Sequence, residues 1–257
     1  MVQQKALLID ITLCIGCNAC QAGCKEANHL PPDEEKNLSP TAFTALSEHN
    51  GKFVRHLCQH CEEPTCVSVC PVGAFTKTAD GPVLYDAYKC IGCRYCMQAC
   101  PFRVPRYEWK STKPRIQKCI FCHERLAKGQ PTACSEACPT GATIFGNREE
   151  LLLEAAKRIS DNPDKYVTKI YGQKEVGGTS VLYLSPVPFE QLGFDVKLGE
   201  TPMPLLTMSA MSKIPNVVTV GGVLLGGIWW ITNRRTDVHN HEVSVRQAAV
   251  SHKKDEK

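Results

Sequence analysis

Sixteen cysteines constrain the fold of this 257-residue chain more than any other feature. They fall into four groups of four, and none is left over. The first group lies in CIGCNACQAGCK and the third in CIGCRYCMQACP, so two groups have nearly the same spacing. In chain order, motifs 1 to 4 are Cys14, Cys17, Cys20 and Cys24; Cys58, Cys61, Cys66 and Cys70; Cys90, Cys93, Cys96 and Cys100; and Cys119, Cys122, Cys134 and Cys138.

The spacing decides among three uses of these cysteines. Disulfides are disfavoured because C-x-x-C pairs would close strained loops, and because MVQQKALLID contains no apolar secretory signal. Zinc typically takes two C-x-x-C pairs separated by a spacer, a pattern that motif 4 alone resembles. Motifs 1 and 3 place three cysteines on one tight loop, and residues 90–101 match the bacterial cluster pattern C-x2-C-x2-C-x3-C-P at every position. We therefore predict four [4Fe–4S] clusters, with zinc or a mixed set as the alternative.

Two-cluster ferredoxins share their cysteines, because the fourth cysteine of each motif ligates the other cluster. Short β-type runs beside the motifs indicate which motifs pair. Motif 2 leaves through PVGAFTK and reaches motif 3 through the turn signal TADGPV, so residues 53–105 form one contiguous unit. LLIDITLC enters motif 1 and PTGATIF leaves motif 4, which predicts a second unit in permuted order. The competing arrangement pairs motif 1 with motif 2 and motif 3 with motif 4.

Each predicted cluster site takes three cysteines from one motif and the fourth from its partner motif. All four thiolates at a site are then iron ligands, which leaves no open metal position and indicates electron transfer without catalytic residues. Site 1 is Cys14, Cys17, Cys20 and Cys138; site 2 is Cys119, Cys122, Cys134 and Cys24; site 3 is Cys58, Cys61, Cys66 and Cys100; and site 4 is Cys90, Cys93, Cys96 and Cys70.

Charged and histidine residues near the motifs leave alternatives open. Glu62 and Glu63 in motif 2 are either solvated loop charges or lower the potential of site 3 below the others. His60 is better interpreted as a polar loop residue than as a ligand, since four cysteines are available. Lys25 stands where motif 3 has Pro101, which predicts a helix through KEAN and a cation that softens the charge of the neighbouring cluster.

On these motifs, over about residues 5–235, the chain resembles the four-cluster iron–sulfur (beta) subunits of membrane-bound respiratory oxidoreductases. Quinone-linked formate dehydrogenase has the most similar subunit, and that of quinone-linked nickel–iron hydrogenase is also similar. The resemblance implies electron transfer, in anaerobic respiration, from a molybdopterin catalytic subunit to a membrane cytochrome b or other quinone-reactive subunit. It also implies the crossed sharing of cysteines. The alternatives are a hydrogenase or another molybdopterin reductase as partner, and, in another class, a zinc-stapled interaction protein.

The fold class expected from these elements is α+β, with two ferredoxin-like two-cluster units, one permuted around the other. They occupy residues 1–146. Residues 147–213 begin with the amphipathic helix NREELLLEAAKRIS, capped by Asn147 and Glu150. After this helix the segment has many Pro and Gly residues. GGTSVLYLS predicts one strand, and the rest predicts an extended arm along a partner or the membrane surface.

Ile214–Thr232 contains no charge over 19 residues and predicts a single transmembrane helix about 28 Å long. Gly222 and Gly226 allow another helix to approach closely. Arg234 and Arg235 follow, which places the polar tail, 233–257, in the cytoplasm of a bacterium and the cluster domain on the periplasmic side of the inner membrane. The resemblance implies export together with a catalytic subunit that carries a twin-arginine signal.

Overall fold

The computed structural model describes the backbone of residues 3–255 and the side chains of residues 3–246. The chain divides into two compact units, with the boundary between Leu205 and Leu206. Among the described residues, the first unit contains nine strands and six helices, which agrees with the α+β class. The second unit is helical, and the last residues of the predicted tail, 256 and 257, lie outside the described residues.

Short strands and helices alternate along the first unit because the cysteine motifs lie in the loops and helices between strands. The strands are β1 Lys5–Asp10, β2 Thr44–His49, β3 Lys52–Leu57, β4 Phe75–Lys77, β5 Val83–Tyr85, β6 Arg106–Tyr107, β7 Ile116–Gln117, β8 Thr143–Asn147 and β9 Val181–Leu184. The helices are α1 Ala19–Ala27, α2 Thr65–Ser68, α3 Tyr95–Ala99, α4 His123–Leu126, α5 Ala133–Glu136, α6 Arg148–Asp161, α7 Met203–Met211 and α8 Ile214–Asp255.

Strand β1 is the centre of a three-stranded sheet in the order β8-β1-β9. It enters motif 1 and pairs antiparallel with β8, which leaves motif 4, and parallel with β9. Because both faces of β1 are covered, it is apolar along nearly its whole length. Leu7 and Ile9 pack into a core with Phe121 and Cys134, and Leu8 packs into a second core on the other face. The first of these cores therefore carries the cysteine motifs.

Helix α6 covers the second face of this sheet. Leu151 and Ala155 are buried against β1, as the apolar stripe predicts, whereas Ala156 of the same stripe is exposed. Asn147 precedes the helix but makes no capping hydrogen bond to the backbone. Its Nδ2 instead donates to Glu150 Oε1 at 2.8 Å. The two residues predicted to cap the helix are therefore joined by a hydrogen bond between their side chains.

The extended arm predicted after α6 is wrong for the part of it that lies in the first unit. The strand predicted in GGTSVLYLS forms as β9, which is fully buried at one edge of the three-stranded sheet, so this part of the segment packs into the fold. Tyr171 and Phe189 are each 2% exposed, and both rings pack against Phe194. A segment without periodicity thus contributes core residues at irregular spacing, since an irregular backbone buries side chains with no fixed repeat.

Two β-hairpins connect the cysteine motifs in the middle of the first unit. Strands β2 and β3 form one, in the insertion between motifs 1 and 2. Strands β4 and β5 form the other, between motifs 2 and 3. The turn expected in TADGPV lies between β4 and β5, where Gly81 adopts φ +114° and its N–H donates to Thr78 O. The β4–β5 hairpin therefore brings the exit of motif 2 beside the entry of motif 3.

The second unit contains α8, which is continuous from Ile214 to Asp255. The predicted span 214–232 is its first half, and the helix continues through the residues predicted as a polar tail. NRRTDVHNHEVSVRQ contains neither Pro nor Gly, so nothing in its composition ends the helix. The helical stretch Met203–Arg246 is long and apolar enough to cross a membrane once, and none of its apolar window is buried in the protein.

Candidate metal centres

Site 1 forms at the loop that joins β1 to α1. One cavity is lined by the four cysteines predicted for it, together with Ile9, Leu46 and Arg55. Three of the cysteines come from motif 1, and the fourth follows α5 and precedes β8. Strand β1 leads into motif 1 and β8 follows motif 4. Because these two strands pair, motifs 1 and 4 meet at this site. The site 1 cysteines that line this cavity are Cys14, Cys17, Cys20 and Cys138.

Site 2 lies against the same core. A second cavity is lined by Phe43, Leu57 and Phe121 and by the four cysteines predicted for this site. One cysteine projects from α1 and another from α5, and these two helices pack together. The site 2 cysteines that line this cavity are Cys24, Cys119, Cys122 and Cys134.

Site 3 forms where motif 2 meets the end of motif 3. A third cavity is lined by its predicted cysteines and by His60, Val83 and Lys118. Each of the three cavities is thus lined by one predicted cysteine quartet. The site 3 cysteines that line this cavity are Cys58, Cys61, Cys66 and Cys100.

Site 4 gathers beside the β4–β5 hairpin. Cys70, Cys90 and Cys96 pack into one apolar cluster with Phe75 and Val83. Burial and the nearby sulfurs of the other three site 4 cysteines together raise the pKa of the Cys96 thiol to about 11. Motif 3 therefore supplies three cysteines of this group and motif 2 the fourth. The site 4 cysteines are Cys70, Cys90, Cys93 and Cys96.

The two similar loops adopt the same backbone conformation. Gly16 has φ +73° and Gly92 has φ +72°, and two residues later Asn18 and Arg94 are also left-handed, at +57° and +60°. Such turns direct backbone N–H groups towards the sulfurs. The N–H of Gly92 donates to Cys90 Sγ at 3.4 Å. The two similar sequences thus form the same loop conformation around their cysteines, because glycine tolerates the left-handed region.

The buried cysteines are suited to bind a cationic metal centre that compensates the charge of several thiolates at once. Burial and the neighbouring Cys134 raise the pKa of Cys24 to about 12, and burial and Cys58 raise that of Cys66 to about 12. Such thiols ionise readily only when a cationic centre binds them. All sixteen cysteines are free thiols, so the disulfide interpretation is excluded. In residues 3–255, no group of three or more His, Cys, Asp or Glu side chains is arranged to hold a single metal ion.

Three buried cations adjoin the sites, and sequence reasoning missed the one that contacts a ligand sulfur. Arg55 Nη2 donates to Cys134 Sγ at 3.3 Å. Lys25 Nζ is paired with Glu35 Oε1 at 3.0 Å. Lys118 Nζ donates to Val83 O and Cys119 O. Arg55 lies on a strand outside every motif, so spacing could not reveal it.

Glu62 and His60 of motif 2 contact other residues of the protein, whereas Glu63 is exposed. Glu62 Oε1 pairs with Arg148 Nε at 3.5 Å, so its charge is partly balanced and not solvated. His60 is fully buried, and its Nδ1 accepts from the Val83 N–H at 2.9 Å. His60 is therefore neither a solvated loop residue nor directed through Nδ1 at an iron, and its ring packs edge-on against Phe121.

The fold and the four cysteine groups define an electron-transfer protein of the multi-cluster [4Fe–4S] class. Two family models, each described as a 4Fe-4S dicluster domain, match residues 49–148 and 13–74. Sixteen cysteines in two such domains correspond to four [4Fe–4S] clusters. The prediction of four clusters is confirmed, and the zinc-stapled alternative is not supported.

Three relatives indicate which kind of [4Fe–4S] electron-transfer protein this chain is similar to. The hydrogenase-2 operon protein HybA of Escherichia coli O157:H7 is 37% identical over 287 residues, which cover 92% of this chain and 86% of HybA. The nitrate-inducible formate dehydrogenase iron-sulfur subunit of Escherichia coli K12 is 37% identical over 199 residues, 70% of this chain and 67% of that subunit. The formate dehydrogenase iron-sulfur subunit of Haemophilus influenzae is 37% identical over 200 residues, 70% of this chain and 64% of that subunit.

The chain belongs to the family of iron–sulfur electron-transfer subunits of anaerobic respiratory oxidoreductases. The predicted resemblance is confirmed. The formate dehydrogenase relative is a subunit of that enzyme, and the helical stretch Met203–Arg246 of this chain is a candidate for a single membrane span.

Proposed function

We propose that this chain conducts electrons through sites 1 to 4 between a catalytic subunit and a membrane subunit. One observation carries the proposal: three predicted cysteine quartets line three separate cavities, each with three cysteines of one motif and one of another. When bound, each [4Fe–4S] cluster accepts and releases one electron. The protein contributes four thiolates at every site, so substrate chemistry belongs to the partner.

The sites follow one another in a series. Cys20 and Cys24 lie about one turn apart on α1 and serve sites 1 and 2. Cys119 lines the site 2 cavity, and the preceding residue, Lys118, lines the site 3 cavity, so these two sites are neighbours. Cys66 of site 3 and Cys96 of site 4 pack in one apolar cluster, which makes site 4 the neighbour of site 3. The order 1-2-3-4 follows.

The two ends of the series reach the surface. Cys17 of site 1 and Cys93 of site 4 are the exposed cysteines of the chain. Around Cys93, the Tyr88 side chain is 95% exposed and Trp109 is 66% exposed, with the Arg94 guanidinium 5.0 Å from the Trp109 ring. Exposed Tyr, Trp and Arg are typical of protein interfaces. We place electron exchange with the partner subunits at these two ends.

The permuted unit is part of the same proposal. The β1–β8 pairing joins the entry of motif 1 to the exit of motif 4, and the β4–β5 hairpin joins motif 2 to motif 3. Both observations support an inner unit within residues 53–105 and an outer unit formed by motifs 1 and 4. The alternative pairing of motif 1 with motif 2 would separate Cys24 from Cys122, which line one cavity.

Paired substitutions test the ligand sets. If Cys24 and Cys122 serve one cluster, the variant Cys24→Ser/Cys122→Ser loses no more iron than either single variant. The variant Cys24→Ser/Cys61→Ser should lose iron from two clusters. Iron and acid-labile sulfide are counted per chain, against sixteen iron atoms expected for the unsubstituted protein. Additive loss in the first pair, with no extra loss in the second, would support the competing pairing.

The predicted catalytic partner is a formate dehydrogenase-like molybdopterin enzyme. A nickel–iron hydrogenase is the second candidate, and one observation favours it: the alignment with HybA covers 92% of this chain, against 70% for the formate dehydrogenase subunit. The metal content of the co-purified catalytic subunit distinguishes them. Molybdenum or tungsten supports the first partner, and nickel supports the second.

On the membrane side we propose a cytochrome b or another quinone-reactive subunit, with the cluster unit in the periplasm and the end of α8 in the cytoplasm. Arg234 and Arg235 just beyond the apolar stretch support this orientation through the positive-inside rule. Protease added to intact spheroplasts should cleave the cluster unit. Protection of that unit, with cleavage only after lysis, would reverse the orientation.

A further inference from the structure

Arg55 connects two neighbouring cluster sites through one buried side chain. It lies on β3 and is 2% exposed. Its Nη2 donates to Cys134 Sγ at 3.3 Å, a contact with site 2, while the same side chain lines the cavity of site 1. Nη1 donates to Thr143 Oγ1 at 2.9 Å, which fixes the plane of the guanidinium. The cation therefore borders both sites in a defined orientation.

The charge of Arg55 is balanced by cysteine sulfurs and not by a carboxylate. The ion pairs found in the described part of the chain involve other residues. Arg55 instead donates to the Cys134 sulfur and to the Thr143 hydroxyl. Its Nε is also buried without a hydrogen-bond partner, so one N–H remains for a group bound in the cavity.

We propose that Arg55 raises the reduction potentials of the clusters at sites 1 and 2 together. Accepting one electron adds one negative charge to a cluster and its thiolates. A buried cation stabilises the more negative form with little screening, and the N–H···S bond to Cys134 acts in the same direction. Since one cation borders both sites, it makes both clusters easier to reduce, and the hydrogen bond to Cys134 makes the effect larger at site 2. The inference rests on the ligand sets proposed above.

Potentiometric titration of the purified complex, monitored by EPR, tests this role. Arg55→Gln keeps hydrogen-bond donors but removes the charge. We expect two of the four midpoints to move to more negative values and the other two to move less or not at all. Arg55→Lys keeps the charge and should shift the same two midpoints less. Unchanged midpoints, an equal shift of all four, or a Lys variant as affected as the Gln variant would overturn the proposal.

Two controls separate a redox role from a structural one. The variant Lys25→Gln/Glu35→Gln removes another buried cation beside site 2 together with its counter-charge, so no midpoint should move. Thr143→Val leaves the charge but frees Nη1, and should shift the same two midpoints slightly even if Arg55→Gln fails to assemble. The paired cysteine substitutions test the ligand sets alone. Additive iron loss in Cys24→Ser/Cys122→Ser would contradict those sets, whereas unchanged midpoints in Arg55→Gln would contradict the role of Arg55.

Discussion

Lys25 and Glu35 form a buried ion pair in which Nζ lies 3.0 Å from Oε1. Lys25 Nζ also donates to Asp33 O. The lysine that replaces the motif 3 proline therefore fastens the insertion after motif 1 to α1, and its charge is balanced by Glu35. Helix α1 does continue through KEAN as expected, ending at Ala27. The predicted role of Lys25 in softening the charge of a cluster loses its support, since Glu35 cancels most of that charge.

Removing the lysine should weaken the fold. We expect Lys25→Met to destabilise the protein by about 2 to 3 kcal/mol, below the cost of breaking a fully buried pair because Glu35 is 26% exposed. The temperature at which the visible absorbance of the clusters disappears measures the effect at a fixed heating rate. Lys89→Met is the matched control, because the Lys89–Asp86 pair is exposed and should contribute almost nothing. Equal changes in both variants would contradict this expectation.

Gly16 and Gly92, the equivalent glycines of the two CIGC loops, should differ in how well they tolerate substitution by alanine. A Cβ at Gly16 would lie 2.6 Å from the Phe53 ring, whereas one at Gly92 would lie 3.3 Å from the Tyr107 hydroxyl. Both positions have positive φ, so Gly92→Ala should cost about 1 kcal/mol from backbone strain. Gly16→Ala should cost about 2 to 4 kcal/mol, since overpacking adds to the strain. Iron content per chain measures the difference, and a greater loss in Gly92→Ala would be inconsistent with it.

Site 3 should respond to Lys118 more than to Glu62. Lys118 is 4% exposed and lines the site 3 cavity, whereas Glu62 is paired with Arg148. Lys118→Gln should lower one midpoint by on the order of 1 kcal/mol, about 43 mV for one electron. Glu62→Gln should change it much less. A large positive shift in Glu62→Gln, with none in Lys118→Gln, would restore the idea that acidic residues set a low potential at site 3.

We expect the two GxxxG glycines of α8 to contact a helix of a partner subunit and to have no role in the packing of this chain. Gly222 and Gly226 have open space where a Cβ would lie, so larger residues strain nothing within the protein. We expect Gly226→Leu to reduce co-purification of the membrane subunit several-fold while iron content stays unchanged. Gly227→Leu, about 100° away around the helix, is the control. If both variants co-purify alike, that face is not the contact.

Spacing alone predicted the cofactor and much of the ligand grouping. Three cysteines on a short loop can meet one cluster because the geometry is local, and C-I-G-C recurs with the same backbone angles at Gly16 and Gly92. The apolar stripe of α6 was likewise readable, because a helix repeats every 3.6 residues. The same local logic predicted the apolar stretch that begins α8.

Contacts between distant parts of the chain were not readable from the sequence. Strand β9 joins β1 in parallel, and Tyr171 and Phe189 enter the core, although their segment shows no repeat. Arg55 approaches Cys134 across 79 positions of sequence, and Glu62 is neutralised by a residue that follows motif 4. The charge that each site experiences depends on such contacts, because burial and distance determine electrostatic strength. The sequence by itself determined the cofactor class and predicted which sulfurs bind the clusters, whereas the tertiary structure decided which charges surround those sulfurs.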